Sequence, residues 1–236
     1  MKKLISMILA MVLCLSLGCV LISCEVEELP EGTEEVTIGP DGISKEEWQD
    51  AIANDNFTNV TIEYVLEGPS GEKQSHIVKI TPDQVYREVT GYMYDEEFSF
   101  AYLFEDENAQ TQRKMFIDVF LSLLAERENF VYDMENGVYN APEEVSVDVT
   151  AGEGYTAKET MKNGQVKFGK DGSLEVFTCE LTEAAYSGEE LLNSSTYNVT
   201  WTFKDYGKTE ITEENVQLAE KSNSNEEERE PENNEE

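Results

Sequence analysis

The sequence is poor in the residues that carry most enzymatic and metal chemistry. It has one histidine, His76, and four cysteines, of which only Cys179 lies beyond the first 24 residues. A serine–histidine–acid triad would have to use His76, which lies in a predicted strand with no nucleophile motif beside it. A structural zinc site needs more histidine or cysteine ligands than the chain offers beyond residue 24. We therefore expect no enzymatic activity, no metal and no cofactor, and a buried strand position for Cys179.

Basic residues are also scarce, because 17 lysines and arginines stand against 50 aspartates and glutamates, for a formal net charge of −33. Nucleic acid is not expected as a partner, since binding phosphate requires a cationic surface. Anionic lipid head groups should not attract such a chain directly either. The acidity is typical of a solvated surface that keeps molecules apart, and we expect a monomer.

Long apolar runs are absent apart from one near the N-terminus, from Leu4 to Val20, which follows Lys2 and Lys3. This order of charged and apolar residues predicts a secretory signal peptide over residues 1–23. An uncleaved membrane anchor is the alternative, because about 20 apolar residues can span a bilayer.

The residues that end this run carry a motif. Leu21-Ile22-Ser23-Cys24 resembles the lipobox of bacterial lipoproteins, in which a small residue precedes the cysteine that takes a diacylglyceryl group. Cys19 is a rival, but Ser16 is a poor residue three positions upstream of it. The resemblance implies lipidation at Cys24 with palmitate-like chains. It also implies a protein anchored to the outer face of the cell membrane, since two acyl chains hold a protein durably.

Composition divides the rest of the chain into three parts. Residues 24–42 are acidic, contain proline and glycine, and are predicted to be a solvated tether. Residues 220–236 are rich in glutamate and are predicted to be a disordered acidic tail. One folded domain is therefore expected over residues 43–219.

Periodicity predicts mostly strands within this domain. Ser44 and Glu47 have the spacing of a capping box and predict a short helix to about residue 54. An apolar stripe at helical spacing predicts a long helix over 109–127. Apolar residues alternate with polar ones in most other segments, and three dipeptides mark turns: Asn136-Gly137, Asn163-Gly164 and Asp171-Gly172.

These elements predict an α+β fold. We expect about eight or nine strands in a single curved antiparallel sheet, an unclosed half-barrel, because half-buried strands leave one face to be covered. One short N-terminal helix and one long helix should pack on the concave face.

The chain resembles the LolA-like group of bacterial lipoproteins, which includes LppX-LprG-like lipid and lipoprotein carriers. The resemblance is carried by the lipobox, the opening amphipathic helix, the start of the first strand at Phe57-Thr58-Asn59-Val60, an aromatic strand before the inserted helix, and a closing Phe203-Lys204-Asp205-Tyr206-Gly207-Lys208. It implies a concave face that can hold acyl chains.

Eight aromatic residues are the candidate site, because they alternate on strands or lie on the long helix: Tyr64, Phe98, Phe100, Tyr102, Phe116, Phe120, Trp201 and Phe203. Such a set can line an apolar pocket for a hydrophobic or lipid-like ligand. It can equally be a filled core, and the alternative is then a structural or protein-interaction lipoprotein that acts through its acidic surface.

Overall fold

A computed structural model describes residues 42–93, 96–150 and 155–227. The predicted signal peptide, the lipobox with Cys24 and all of the predicted tether except Gly42 lie outside these residues. The predicted class is confirmed: the described chain is mostly antiparallel sheet, with helices packed on it, and the sheet does not close into a barrel.

The sheet has ten strands in the described residues, slightly more than the eight or nine predicted. Its order runs from the edge strand β4 through β3, β2, β1, β10, β9, β8 and β6 to β5, and β7 also pairs with β8. In chain order the strands are β1 (Val60–Glu67), β2 (Lys73–Ile80), β3 (Gln84–Met93), β4 (Glu96–Glu105), β5 (Val131–Asp133), β6 (Val138–Asn140), β7 (Val145–Thr150), β8 (Tyr155–Phe168), β9 (Leu174–Ser187) and β10 (Glu190–Lys204).

Two helices lie against one face of the sheet, which we call the inner face. The first, α1, spans Lys45–Ala51, and the second, α2, spans Asp106–Leu124. The predicted capping box at the start of α1 is confirmed, because Ser44 accepts from the Glu47 N–H while the Glu47 carboxylate accepts from the Ser44 N–H. Short 3₁₀ turns follow each helix, at Asn54–Phe57 and Arg127–Asn129.

The inner face and these helices enclose a single apolar core. Trp48 of α1 is fully buried, and its indole nitrogen donates a hydrogen bond of 2.9 Å to the carbonyl of Leu124 at the end of α2. The Trp48 ring lies 5.0 Å from both Phe130 and Phe168, measured between centroids. This contact joins the two helices to the β8 end of the sheet.

The turn predicted at Asn163-Gly164 is wrong. These residues lie inside β8, where the pairing with β9 shifts register between Lys162 and Gln165. Asn163 has a positive φ of 52°, and a residue in that conformation can form a bulge without ending the strand. The other two predicted turns are confirmed, because Asn136-Gly137 joins β5 to β6 and Asp171-Gly172 joins β8 to β9.

A third helix, α3, spans Glu213–Glu227 and was not predicted. It lies on the outer face of the sheet, where Ala219 is buried with Tyr86 of β3 and Ala101 of β4. The hydroxyl of Ser222 accepts a 2.9 Å hydrogen bond from the backbone N–H of Ala101, on the edge strand. The segment predicted as a tail over 220–236 is therefore helical as far as Glu227, and residues 228–236 lie outside the described part.

Candidate ligand-binding face

The structure divides the eight predicted aromatic residues into two groups. Tyr64, Phe120, Trp201 and Phe203 are buried, none more than 9% exposed. Phe120 on α2 lies 5.0 Å from Phe203 and 6.4 Å from Trp201, both on β10, measured between ring centroids. These rings fill the space between α2 and the middle of the inner face, so this group forms a packed core.

The second group is half-buried and lies toward the edge of the sheet. Its members Phe98, Phe100 and Tyr102 alternate along β4 with Phe104, which was not among the eight, and all face the same side. We call these four β4 residues the edge ladder. Successive ring centroids are 5.7, 5.4 and 6.1 Å apart. Phe116 on α2 is half-buried as well. The edge ladder is therefore a continuous strip of aromatic surface that solvent partly reaches.

Arg87 is the charged residue beside this strip. It lies on β3 directly opposite Tyr102 of β4, so its side chain shares the inner face with the edge ladder. Its guanidinium carbon lies 5.1 Å from the centroid of the Phe116 ring, a cation–π contact. Its Nη2 lies 3.3 Å from Nδ1 of His76. Its Nε is buried with no hydrogen-bond partner.

His76 supports Arg87 from the neighbouring strand β2. The histidine is 2% exposed, and its ring stacks on Tyr64 with centroids 4.2 Å apart. Burial, reinforced by the nearby Arg87 charge, lowers the pKa of His76 well below its usual value, so the ring is neutral. Nδ1 can then accept from Arg87 while Nε2 donates to Gln74, at 3.3 Å.

Two glutamates face each other at the other end of the inner face. Glu159 on β8 and Glu183 on β9 are direct cross-strand partners, 4% and 8% exposed, and one carboxyl oxygen of each is buried without a partner. No described lysine or arginine forms an ion pair with either. Burial raises the pKa of Glu159 to about 7, and burial together with the Glu159 charge raises the pKa of Glu183 well above its usual value.

Sequence reasoning missed this carboxyl pair and Arg87. The sequence did contain a signal for this pair. Glu159 is two residues before Met161 and Glu183 is two residues after Leu181, so in a strand each glutamate lies on the same side as the apolar residues. Arg87 likewise lies on the same side of β3 as Val85 and Val89.

Two surface clefts lie elsewhere. One, of about 390 Å³, is lined by acidic residues that include Glu47, Asp50 and Asp171. Another, of about 410 Å³, lies at the β2–β3 turn beside Glu105 and Asp106. Neither contains a residue of the predicted aromatic set. In the described ranges we find no cluster of three or more histidine, cysteine or acidic side chains arranged to hold a metal ion.

The two cysteine predictions have different outcomes. Cys179 lies in β9, is 4% exposed and is a free thiol, so the predicted buried strand position is confirmed. Burial raises the pKa of the Cys179 thiol well above its usual value, which makes it unreactive.

Cys24 lies outside the described residues. Among the helices of the described chain, none has the length and hydropathy needed to cross a membrane.

Comparison with known proteins assigns no family. No protein-family model and no curated protein matches the chain. One solved structure that matches, "Structure of EF1p2_mFAP2b bound to DFHBI", is 9% identical, with 64% of this chain and 98% of that chain covered and a TM-score of 0.24. A similarity at that level supports no statement about the fold or function of this chain.

Proposed function

We propose that this chain is an extracytoplasmic lipoprotein, anchored through diacylglyceryl on Cys24, that binds a hydrophobic or lipid-like ligand without catalysing a reaction. The observation that carries the binding function is the edge ladder: four stacked or tilted aromatic rings left half-buried on the inner face. A LolA-like carrier would hold its acyl chains on this same face.

Apolar contact can supply the affinity for such a ligand. Each methylene removed from water contributes about 0.8 kcal/mol, and a chain laid across several rings would bury most of its length. Loss of translational and conformational freedom offsets part of this gain. Because the edge ladder is already ordered by β4, the protein itself gives up little freedom on binding.

The packed group around Phe120 favours a second candidate. If the aromatic residues act only as a core, the chain is a structural or protein-interaction lipoprotein whose acidic surface binds a cationic envelope partner. The formal net charge of −33 supports that reading. Such a complex would weaken steeply with salt, whereas apolar binding at the edge ladder would not.

Binding of decanol tests the proposal, because this probe has an apolar chain and no charge. The chain comprises residues 24–236 with Cys24→Ala, and native mass spectrometry with calorimetric titration follows the complex. We expect one decanol per chain, with affinity reduced at least fivefold by the double substitution Phe98→Ala/Phe100→Ala. Tyr92→Ala is the matched control, because this ring is 56% exposed and lies on the other face of β3.

Two outcomes would contradict ligand binding at the edge ladder. One is the absence of any complex up to the solubility limit of decanol. The other is an equal loss of affinity in the Tyr92→Ala control.

Attachment of acyl chains tests the anchor separately. In bacteria grown with labelled palmitate, the wild-type chain should carry label and fractionate with membranes, and Cys24→Ala should carry none, because the thiol is the acceptor. Cys19→Ala is the control and should keep the label. Unchanged labelling of Cys24→Ala, or its loss only in Cys19→Ala, would refute the assignment.

A further inference from the structure

Arg87 occupies an unusual position for a cation. Its guanidinium is half-buried on an aromatic face, and among the described residues its hydrogen bond is to a neutral histidine. No acidic side chain in the described residues pairs with it, although the sequence has 50 acidic residues. Holding a charge in such surroundings without a counter-ion costs free energy.

The contacts of Arg87 also determine which of its N–H donors remain without a partner in the described residues. The face of the guanidinium packs on Phe116, and Nη2 points to His76. The buried Nε has no acceptor among the described residues, and no other hydrogen bond joins the guanidinium to them besides the one to His76. A planar guanidinium held in this way presents its donors as a fork, which matches carboxylate and phosphate oxygens.

The edge ladder begins next to this fork. Tyr102 lies directly across from Arg87, and Phe100 and Phe98 follow along β4. The five residues from Phe98 to Tyr102 span about 13 Å of strand. A chain of about ten carbons would cover that distance while its head group stayed beside Arg87.

We propose that Arg87 binds the acidic head of a single-chain anionic amphiphile, a carboxylate or phosphate monoester, whose apolar chain lies along the edge ladder. This inference rests on the proposed function, since it names the ligand class for the same face. The argument for an anionic occupant is charge complementarity with a half-buried guanidinium that has no acidic partner.

Four ten-carbon probes of matched chain test the head group: decanoate, decyl phosphate, decanol and decyltrimethylammonium. With residues 24–236 carrying Cys24→Ala, calorimetry below the micelle concentrations should show decanoate or decyl phosphate binding at least tenfold more tightly than decanol. The cationic probe should bind most weakly. The ratio between decanoate and decyl phosphate shows which acidic head the site prefers.

Substitution of Arg87 locates the effect. Arg87→Gln should bring the affinities for decanoate and decanol to within about twofold of each other, mainly because decanoate binds more weakly. Arg87→Met serves as a second neutral variant, with an apolar stem that can still pack on Phe116. The matched control is Lys204→Gln, which removes one positive charge from an ion pair with Glu63 and should retain the anion preference.

The outcomes separate this inference from the proposed function. If no probe binds, the proposed function fails. If decanol binds as tightly as decanoate to the wild-type chain, or the cationic probe binds best, the ligand is not an anion and the inference fails while apolar binding stands. If the anion preference survives in a folded Arg87→Gln or Arg87→Met chain, Arg87 is not the head-group site and the inference is overturned.

Discussion

Replacing Trp48 by alanine is expected to lower the free energy of unfolding by about 4 kcal/mol, within the range for truncating a buried aromatic side chain. The ring is fully buried and lies within 5.3 Å of Phe130, Tyr139 and Phe168, measured between centroids. Its removal leaves a cavity where α1, α2 and β8 meet. It also leaves the Leu124 carbonyl without its indole donor. Urea unfolding followed by circular dichroism measures the change.

Trp48→Phe is the matched control for this prediction. Phenylalanine keeps most of the apolar volume but cannot donate to Leu124, so it should cost clearly less than alanine, on the order of 1–2 kcal/mol. A loss below about 1 kcal/mol for Trp48→Ala would contradict the central position we give this residue.

Neutralising the buried carboxyl pair is expected to stabilise the protein at alkaline pH. Burial raises the pKa of Glu159 to about 7 in the folded chain, from an ordinary value of 4.5. Keeping Glu159 ionised above pH 8 therefore costs on the order of 3 kcal/mol of stability. Glu159→Gln removes that cost, and Glu159→Gln/Glu183→Gln should add to the gain because the pKa of Glu183 is also raised.

The dependence on pH has a definite sign. The folded state binds these protons more tightly than the unfolded state, so their stabilising contribution is complete below about pH 4.5. It is lost as the pH rises through about 7 for Glu159. The difference in unfolding free energy between the double variant and the wild type should thus be small near pH 4.5 and largest above pH 8. Urea titrations at a series of pH values measure it.

An exposed glutamate provides the control for charge alone. Glu189→Gln, in the turn between β9 and β10, also removes one negative charge but no buried carboxyl. The difference in unfolding free energy between Glu189→Gln and the wild type should be nearly independent of pH. If Glu159→Gln behaves like Glu189→Gln, or destabilises the chain at pH 8 and above, then Glu159 is ionised and compensated in the folded state.

Local patterns predicted the elements whose signals lie close together in sequence. The capping box of α1 depends on Ser44 and Glu47, three residues apart, and the apolar stripe of α2 repeats over a few turns. The period-two alternation in β1, β4 and β10 likewise placed all eight candidate aromatic residues on strands or on α2. An open antiparallel sheet with helices on one face follows from these patterns.

Features that depend on pairing partners were not predictable in the same way. Asn163-Gly164 has the composition of a hairpin turn, but β9 on one side and β6 with β7 on the other hold both halves of β8 in the sheet. Tertiary pairing there overrides turn propensity. The split of the aromatic set into a packed group and the edge ladder depends on strand order, because only the position of β4 at the edge leaves its rings half-buried.

Helix α3 was missed for a related reason. Its sequence is acidic and polar, so composition indicates a solvated tail, and among its described side chains only Ala219 is buried, in contact with Tyr86 and Ala101. One small residue gives no periodic stripe. The helix is recognisable only once the outer face of β3 and β4 is available for it to cover.

The bond between Ser222 and the Ala101 N–H has a consequence for how copies of this protein can associate. An open sheet can polymerise edge to edge when both of its edge strands are unpaired, because each added copy brings a new unpaired edge strand. Here α3 lies against β4 and Ser222 occupies one of its outward donors. Adding a strand of a second copy beside β4 would have to break this bond, so edge-to-edge pairing between copies is less favourable at β4 than at β5, the strand at the other end of the described order.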